Sequence, residues 1–378
     1  MSYFVELNKF FRSPIFSIPI GIIFFLEIFL RTGIYNNFLK PMSYAANILR
    51  IQKVIQTSPI EPKVLIVGTS VPYQGLLLDQ LNEYGKAKKL VFQSIATQGA
   101  FLDTQTMLLQ YTLQKKKSIQ FIVHFADLDF PWQQSYQLEL SNRTMLAQFP
   151  IQEVIPLLKK NQYHLSDADY RFFYIKILTY QNDLRNFLLD PFGRIKSIAR
   201  NKKNWNPNYN YINTQYYAIS AYGTTIEECK RNAYYGIPFY KEGKQITDEP
   251  HRRAVLDTCK MAEYDPSLEL GRNTWESLFF LRLSNFYQLA LQNQKKLIVI
   301  IPPYSILMVN ARKKEKVDFW IKTIEKIHKE IPIINLQFVL DDKQNLDYYY
   351  DTIHLNRKGA EKFTKIFFDS ILPYAKIY

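Results

Sequence analysis

The sequence predicts an α/β protein: a three-layer α/β/α sandwich with a mostly five-stranded parallel sheet, preceded by one N-terminal transmembrane helix. Two observations predict the sandwich. Short, almost continuously apolar segments recur along the chain, as buried parallel strands do, and segments with apolar residues at helical spacing lie between them. A third observation, a long apolar stretch near the N-terminus, predicts the membrane helix.

The apolar stretch covers residues 14–35 and contains only two charged side chains, Glu27 and Arg31. A helix rises ~1.5 Å per residue, so this stretch is long enough to cross a ~30 Å hydrocarbon core with Arg31 extended to the interface. No small-residue cleavage site follows directly, which favours an uncleaved anchor over residues 1–36 rather than a signal peptide. A buried amphipathic helix is the alternative, because Glu27 is costly in lipid. Lysine and arginine occur on both flanks, so charge does not set the orientation.

The alternation of strands and helices begins after residues 37–62, a predicted connector. Strands are predicted at 63–67, 90–95, 119–125, 296–301 and 332–336, and helices near 101–115 and 313–330. The pattern predicts one α/β domain over residues 63–378. Residues 130–265 interrupt it as a variable insertion with Tyr- and Asn-rich loops, and we expect this insertion to carry substrate or partner recognition.

A serine follows the first predicted strand directly. The strand at 63–67 runs into Gly68-Thr69-Ser70, a small turn led by glycine. Such a turn exposes a serine hydroxyl at the carboxyl edge of the sheet, where open α/β sheets place their ligands. An ordinary Gly-Thr-Ser turn without chemistry is the alternative.

Near the other end of the chain, Asp351 and His354 stand three residues apart, just before a predicted helix. Asn356 is a good N-cap, and the apolar residues after it have helical spacing. A carboxylate in this position can accept from one imidazole nitrogen and leave the other free as a base. A surface pair without chemistry is the alternative, but the combination with Ser70 favours a catalytic unit.

Together these two motifs resemble the SGNH (GDSL-like) hydrolase superfamily, which has Gly-Asp-Ser after its first strand and Asp-x-x-His near its end. The resemblance implies Ser70 as the nucleophile, His354 as the general base and Asp351 as the residue that orients it. It also implies an oxyanion hole formed by the backbone N–H groups of Ser70 and Gly99, the glycine after the second strand.

The resemblance covers residues 63–130 and 275–378, and it has two departures. Thr69 stands where the family usually has aspartate. The third block, Gly-x-Asn-Asp in the family, falls here on His124-Phe125-Ala126-Asp127-Leu128-Asp129, which has neither the glycine nor the asparagine. In both respects the chain is similar to membrane-linked SGNH-like acyltransferase relatives, such as those of D-alanylation and alginate acetylation. It is also similar to spirochaete envelope proteins of a family of unknown function.

Two classes of function follow from this resemblance. The first is an esterase or O-acyltransferase that acts on a cell-envelope glycan or lipid, with an integral-membrane acyl-donor partner and a main domain on the periplasmic or extracytoplasmic side. The second is a catalytically inactive SGNH-fold protein that serves as a binding or assembly module. The missing asparagine bears on this choice, because loss of one oxyanion donor costs ~10²–10³ in rate.

Composition and motifs exclude several other classes. Lys and Arg number 48 against 34 Asp and Glu, a net charge of +14 that favours anionic partners such as a membrane surface. The cations are dispersed and no nucleic-acid module is recognisable, so nucleic acid is not expected. The five histidines form no metal motif, and no dinucleotide or Walker A motif suggests a cofactor. Pro72 replaces the last glycine of Gly-x-Ser-x-Gly, which argues against an α/β-hydrolase elbow.

Two further features leave alternatives open. The insertion contains a basic run without an acidic residue, formed by Arg194, Lys196, Arg200, Lys202 and Lys203. It is either a solvated helix face or a patch that binds an anionic membrane or glycan. The two cysteines, Cys229 and Cys259, are either a disulfide or buried free thiols.

Overall fold

The computed structural model describes residues 14–128, 135–202, 205–262 and 272–375. Several sequence predictions therefore fall outside the described residues: the start of the anchor (1–13), Asp129 of the third block, both ends of the insertion (130–134 and 263–265) and Lys203.

The described residues form seven strands: Val64–Val67 (β1), Phe92–Ser94 (β2), Phe121–Phe125 (β3), Tyr240–Lys241 (β4), Lys244–Gln245 (β5), Lys296–Ile301 (β6) and Ile333–Asn335 (β7). Strands β4 and β5 make a small antiparallel hairpin, and the other five make a parallel sheet in the order β2-β1-β3-β6-β7. The predicted fold class, a five-stranded parallel sheet flanked by helices, is confirmed. Strand β2 is shorter than predicted because its pairing with the four-residue β1 covers only three residues.

The α-helices of the described residues are Pro14–Arg31 (α1), Tyr44–Thr57 (α2), Ser70–Gly75 (α3), Leu78–Gly85 (α4), Leu102–Lys115 (α5), Leu140–Leu146 (α6), Ile151–Lys160 (α7), Asp167–Tyr174 (α8), Lys176–Leu189 (α9), Pro191–Asn201 (α10), Ile226–Tyr235 (α11), Glu249–Met261 (α12), Arg272–Gln292 (α13), Lys314–Ile327 (α14) and Arg357–Ile371 (α15). Short 3-10 helices cover Ile34–Phe38, Lys86–Lys88, Ile219–Tyr222 and Asn345–Tyr348. Helices α6 to α12 lie between β3 and β6, within the predicted insertion, and α2 lies within the predicted connector.

The sheet brings three loops to one edge. All four residues of β1 are fully buried, as expected for a strand covered on both faces. Because β1, β3 and β6 are neighbours and parallel, their carboxyl ends point the same way. The segments that begin at Gly68, Ala126 and Pro302 therefore leave the sheet side by side, which is the usual ligand position in such sheets.

Helix α1 is apolar and long enough to cross a membrane, with a mean hydropathy of 1.9 and only 6% of its residues buried. A signal sequence near the N-terminus would satisfy the same criteria. The last turn of α1 nevertheless packs on the domain: Leu30 is 2% exposed, in a cluster with Tyr35, Leu39 and Tyr180. The Glu27 carboxylate accepts hydrogen bonds from the backbone N–H groups at the start of α9. The end of this helix is thus part of a packed junction.

Arg194, the first cation of the basic run, is not on a solvated face. It is 7% exposed, and its guanidinium donates to the Asp183 carboxylate at 2.9 Å and to the Phe38 carbonyl at 2.8 Å. Asp183 also accepts from the Tyr35 hydroxyl at 2.6 Å and from the Lys40 N–H at 3.0 Å. Arg194 therefore fixes α10 to the segment that follows α1, whereas Lys196, Arg200 and Lys202 are exposed.

Both cysteines are buried free thiols, Cys229 on α11 and Cys259 on the adjacent α12. The thiols are hydrogen-bonded to each other, and this contact together with burial raises the pKa of Cys259. Of the two alternatives that the sequence left open, the structure has the unpaired state.

Candidate active site

Ser70 is the first residue of α3, and a tight turn after β1 sets its position. A Cβ added to Gly68 would lie 2.6 Å from Cγ of Pro72 and 3.1 Å from Cβ of Phe125. Only glycine fits there, because Pro72 in α3 packs directly against the turn. The chain thus passes from strand to helix within two residues and leaves the Ser70 hydroxyl half-buried at the sheet edge.

The three residues singled out at opposite ends of the sequence form one hydrogen-bonded chain. Nε2 of His354 lies 2.8 Å from Oγ of Ser70. Nδ1 of the same ring lies 2.8 Å from Oδ2 of Asp351. With Nδ1 protonated and donating to Asp351, Nε2 carries the lone pair that accepts the serine proton. This is the hydrogen-bonding order of a nucleophile, a base and an orienting carboxylate.

Asp351 is held rigidly before it contacts the imidazole. It is 2% exposed, and its Oδ1 accepts from the N–H groups of Ile353 at 2.9 Å and His354 at 2.8 Å. The loop then joins α15 through Asn356, whose side chain accepts from the Gly359 N–H at 3.0 Å. The predicted N-cap is therefore present, and it anchors the His354 loop to the terminal helix.

Two opposing effects act on the pKa of His354. Burial alone would lower this pKa, because a desolvated imidazolium is disfavoured. The charge of Asp351, the hydrogen bond to Asp351 and the charge of Asp127 outweigh burial and raise the pKa above its ordinary value. The neutral imidazole needed for a base is therefore fully populated only at pH values above this raised pKa.

Asp127, in the segment that follows β3, joins two loops of the site. Its Oδ2 accepts from the Thr69 hydroxyl at 2.7 Å, and its Oδ1 accepts from the Tyr304 hydroxyl at 3.0 Å. The Tyr304 oxygen in turn accepts from the Leu128 N–H at 3.2 Å. Neither Tyr304 nor a role for Thr69 was predicted from the sequence, although both residues follow strands at the carboxyl edge.

Gly99 lies in the loop that follows β2, close to the turn that carries Ser70. The N–H of Thr97 in this loop donates to the carbonyl of Gly68 at 3.3 Å. Gly99 has φ +66°, and a Cβ there would lie 3.0 Å from Cε1 of Tyr44, so glycine is required. In the part of the chain that the structure describes, no acceptor takes the Gly99 N–H. The Ser70 N–H, at the first position of α3, has no intrahelical acceptor either.

One segment of the insertion, residues 210–213, ties the site loops together. The Asn213 amide donates to the carbonyls of Gln74 at 2.7 Å and Leu355 at 3.0 Å. The Asn210 amide donates to the Ala96 carbonyl at 3.0 Å. The segment therefore joins α3, the loop of Gly99 and the loop of His354, so the insertion contributes to the geometry of the site.

Among the described residues, no group of three or more His, Cys, Asp or Glu side chains is arranged to hold a metal ion. The polar groups at the sheet edge instead bond to one another. The described part of the site holds a serine hydroxyl, an imidazole and backbone N–H groups.

The sequence matches no family model, and no curated protein is similar to it. Among solved structures, one similar chain is a protein from Streptococcus pneumonia that is provisionally named a platelet activating factor. It has 10% sequence identity and a TM-score of 0.39, over 87% of this chain and 91% of that chain. A TM-score this low supports no conclusion about the fold or the activity of this chain.

Proposed function

We propose that the protein is a serine acyl-transfer enzyme, an esterase or O-acyltransferase that uses Ser70, His354 and Asp351. The observation that carries the proposal is the continuous hydrogen-bonded chain, with both steps at 2.8 Å. Its first and last members are 281 positions apart in sequence (351 − 70 = 281), and Asp351 is almost fully buried. The buried carboxylate is hydrogen-bonded to the imidazole, and the imidazole is hydrogen-bonded to the half-exposed serine. Nucleophilic catalysis by serine requires this arrangement.

In the proposed reaction, Nε2 of His354 takes the hydroxyl proton as Oγ of Ser70 attacks the ester carbonyl. Asp351 keeps the ring oriented and stabilises the imidazolium. The imidazolium then gives its proton to the leaving alcohol, and an acyl-serine remains. Water or an acceptor hydroxyl, deprotonated by the same His354 nitrogen, attacks the acyl-serine and restores the hydroxyl of Ser70. Hydrolysis and transfer differ only in this second nucleophile.

The N–H groups of Ser70 and Gly99 are the proposed oxyanion donors. Both belong to loops held together by the Thr97–Gly68 hydrogen bond. Asp127 supplies no third donor, because its two oxygens accept from Thr69 and Tyr304. With one donor fewer than the SGNH pattern, we expect a rate lower by ~10²–10³ than a complete oxyanion hole would give.

SGNH membership, the substrate and the location are parts of the same proposal. The motif resemblance supports an SGNH-type enzyme that modifies an envelope glycan or lipid with an integral-membrane acyl-donor partner. Helix α1 supports anchoring of the main domain to a membrane, because its apolar length suffices and its last turn is packed into the protein. The extracytoplasmic side of that membrane is taken from the motif resemblance alone. Cleavage before residue 36 would remove Leu30 and Tyr35 from that packed cluster.

An inactive binding or assembly module is the second candidate, and one observation favours it: a carboxylate, Asp127, occupies the block where the family supplies an oxyanion donor. Turnover of an activated ester such as p-nitrophenyl acetate separates the two candidates. We expect the full-length protein to release nitrophenol and Ser70→Ala to lose this activity. Equal rates for the two proteins would favour the binding module.

Asp127→Asn is expected to shift the acid limb of the pH profile of kcat/KM to lower pH. The charge of Asp127 is one of the effects that raise the pKa of His354, so its removal lowers that pKa and populates the neutral base at lower pH. The matched control is Thr69→Val, which removes a hydrogen bond to the same carboxylate but leaves its charge. An acid limb that stays in place in Asp127→Asn, or that moves equally in the control, would contradict this electrostatic role.

A further inference from the structure

The corner between α9 and α10 exposes large apolar side chains that nothing in the described residues covers. Leu188, Leu189 and Phe192 are 76%, 74% and 78% exposed, and Ile195 is 51% exposed. We call these four residues the α9–α10 corner. Apolar side chains clustered and exposed to this degree mark a binding surface more often than an ordinary solvent-facing one.

The corner is firmly connected to the end of α1. The Glu27 carboxylate of α1 accepts from the Lys176 and Ile177 N–H groups at the start of α9. At the other end of α9, the ring of Phe187 lies 5.9 Å from the ring of Phe38, and Arg194 of α10 donates to the Phe38 carbonyl. The position of the corner relative to α1 is therefore fixed by contacts at both ends of α9.

Exposed apolar residues also lie between α1 and the corner. Ile34 and Phe38, in the short helix after α1, are 52% and 36% exposed. Of these two residues, Phe38 contacts the ring of Phe187, which directly precedes the corner in sequence. This segment thus adds two exposed apolar side chains between α1 and the corner, among the exposed polar residues Thr32 and Asn37.

The charges around the corner match an anionic surface. Lys196 is one helical turn after Phe192, and Arg200 is one turn further; both are exposed, as is Lys202. Asp190 is an acidic residue in the same region, and it is engaged in capping α10 at the Gly193 N–H. Lys196 and Arg200 therefore lie on the same face of α10 as Phe192. At a membrane interface, apolar side chains can insert while long basic side chains beside them extend to the headgroups.

We propose that the α9–α10 corner is a second membrane contact, which inserts into the headgroup region of the same bilayer that α1 crosses, while Lys196, Arg200 and Lys202 bind anionic lipid headgroups. This inference rests on the proposed anchoring by α1. Two contacts joined through α9 would fix the orientation of the domain, so that the carboxyl edge of the sheet keeps a constant position relative to the bilayer. The packed end of α1 alone would leave the domain free to rotate about the axis of that helix.

The test uses the full-length protein in vesicles, with an environment-sensitive fluorophore on Phe192→Cys. Cys229 and Cys259 are buried, so the label goes to the introduced thiol. The matched control is Phe338→Cys, another exposed phenylalanine (55%), and Phe25→Cys in α1 is the positive control for anchoring. We expect lipids that carry a quencher near the headgroup to quench the label at position 192 strongly and the label at 338 little.

The charge contribution is measured with the same label. Anionic vesicles should increase quenching at position 192 over zwitterionic ones, and salt near ~1 M, where the Debye length is ~3 Å, should reduce it. Lys196→Glu combined with Arg200→Glu and Lys202→Glu should remove the preference for anionic lipid. Arg194 is left unchanged because it holds the junction.

Three outcomes would overturn the proposal in distinguishable ways. If the label at position 192 is quenched no more than the label at 338, while the label at 25 is quenched, then α1 anchors the protein but the α9–α10 corner does not contact the bilayer. If the label at position 25 is not quenched, α1 does not insert into the bilayer, and the proposed anchoring is wrong. Protection of the label at 192 from aqueous iodide without lipid quenching, together with cross-linking between labelled copies, would identify a second copy of the chain as the occupant.

Discussion

His354→Ala is expected to reduce ester turnover by up to about 10⁶-fold, to the level of Ser70→Ala. The Ser70 hydroxyl is a weak nucleophile on its own, and Nε2 of His354 is the acceptor placed 2.8 Å from it. The double variant Ser70→Ala/His354→Ala should be no slower than either single variant, because the two residues act as one unit. Kinetics of the purified variants with an activated ester measure this.

His164→Ala is the matched control, since His164 is an exposed histidine that stacks on Tyr136. It should retain full turnover. If the effects of Ser70→Ala and His354→Ala multiplied in the double variant, the two residues would be acting independently, contrary to the hydrogen-bonded geometry. Thermal melts of all variants exclude unfolding as the cause of a loss.

Asp351→Asn is expected to lower kcat by about 10⁴-fold, the usual cost of presenting the wrong imidazole tautomer. The asparagine carbonyl can still accept from the N–H groups of Ile353 and His354, so the loop is retained. Its amide would then donate to Nδ1 of His354, which leaves the proton on Nε2. A protonated Nε2 cannot take the proton of Ser70.

The control for this substitution is Asp342→Asn, which removes an exposed carboxylate that is paired with Lys362 and is not hydrogen-bonded to the imidazole. It should leave kcat unchanged. Asp351→Asn with wild-type turnover and an unchanged pH profile would show that Asp351 only shapes the loop. A loss of folding in Asp351→Asn would be visible as a lowered melting temperature.

The sheet, and the positions of Ser70 and His354 at the ends of its elements, could be predicted from local patterns. A buried apolar strand that runs into Gly68 predicts a serine at the sheet edge, and an N-cap at Asn356 predicts a helix start beside His354. Parallel strand order then brings the two loops together, although no local signal states this order. The resemblance of the two motifs to one family supplied that step.

The rest of the site depends on contacts between segments that are remote in sequence. The Thr69–Asp127–Tyr304 network joins the ends of three strands, and each of its residues is unremarkable where it stands in the sequence. The insertion was expected to carry substrate or partner recognition, yet its Asn213 also donates hydrogen bonds to α3 and to the His354 loop. Such cross-connections follow from tertiary packing and not from periodicity.

The environment of the basic run also could not be predicted from the local sequence. Five cations without an acid between them suggested either a solvated face or one continuous binding patch. Arg194 instead pairs with Asp183, which lies eleven residues earlier in sequence and on the preceding helix. Only the exposed cations that follow it remain as candidates for anionic lipid.

Covalent labelling by a fluorophosphonate, with the modified peptide located by mass spectrometry, tests whether Ser70 is a nucleophile activated by His354. We expect one adduct on Ser70 in the wild-type protein, and none in Ser70→Ala or in His354→Ala, because the hydroxyl is activated only by Nε2 of His354. Labelling of the His164→Ala control should match the wild type. The absence of any adduct in the folded wild-type protein, or an adduct on Ser70 that persists in His354→Ala, would show that Ser70 is not a nucleophile activated by His354.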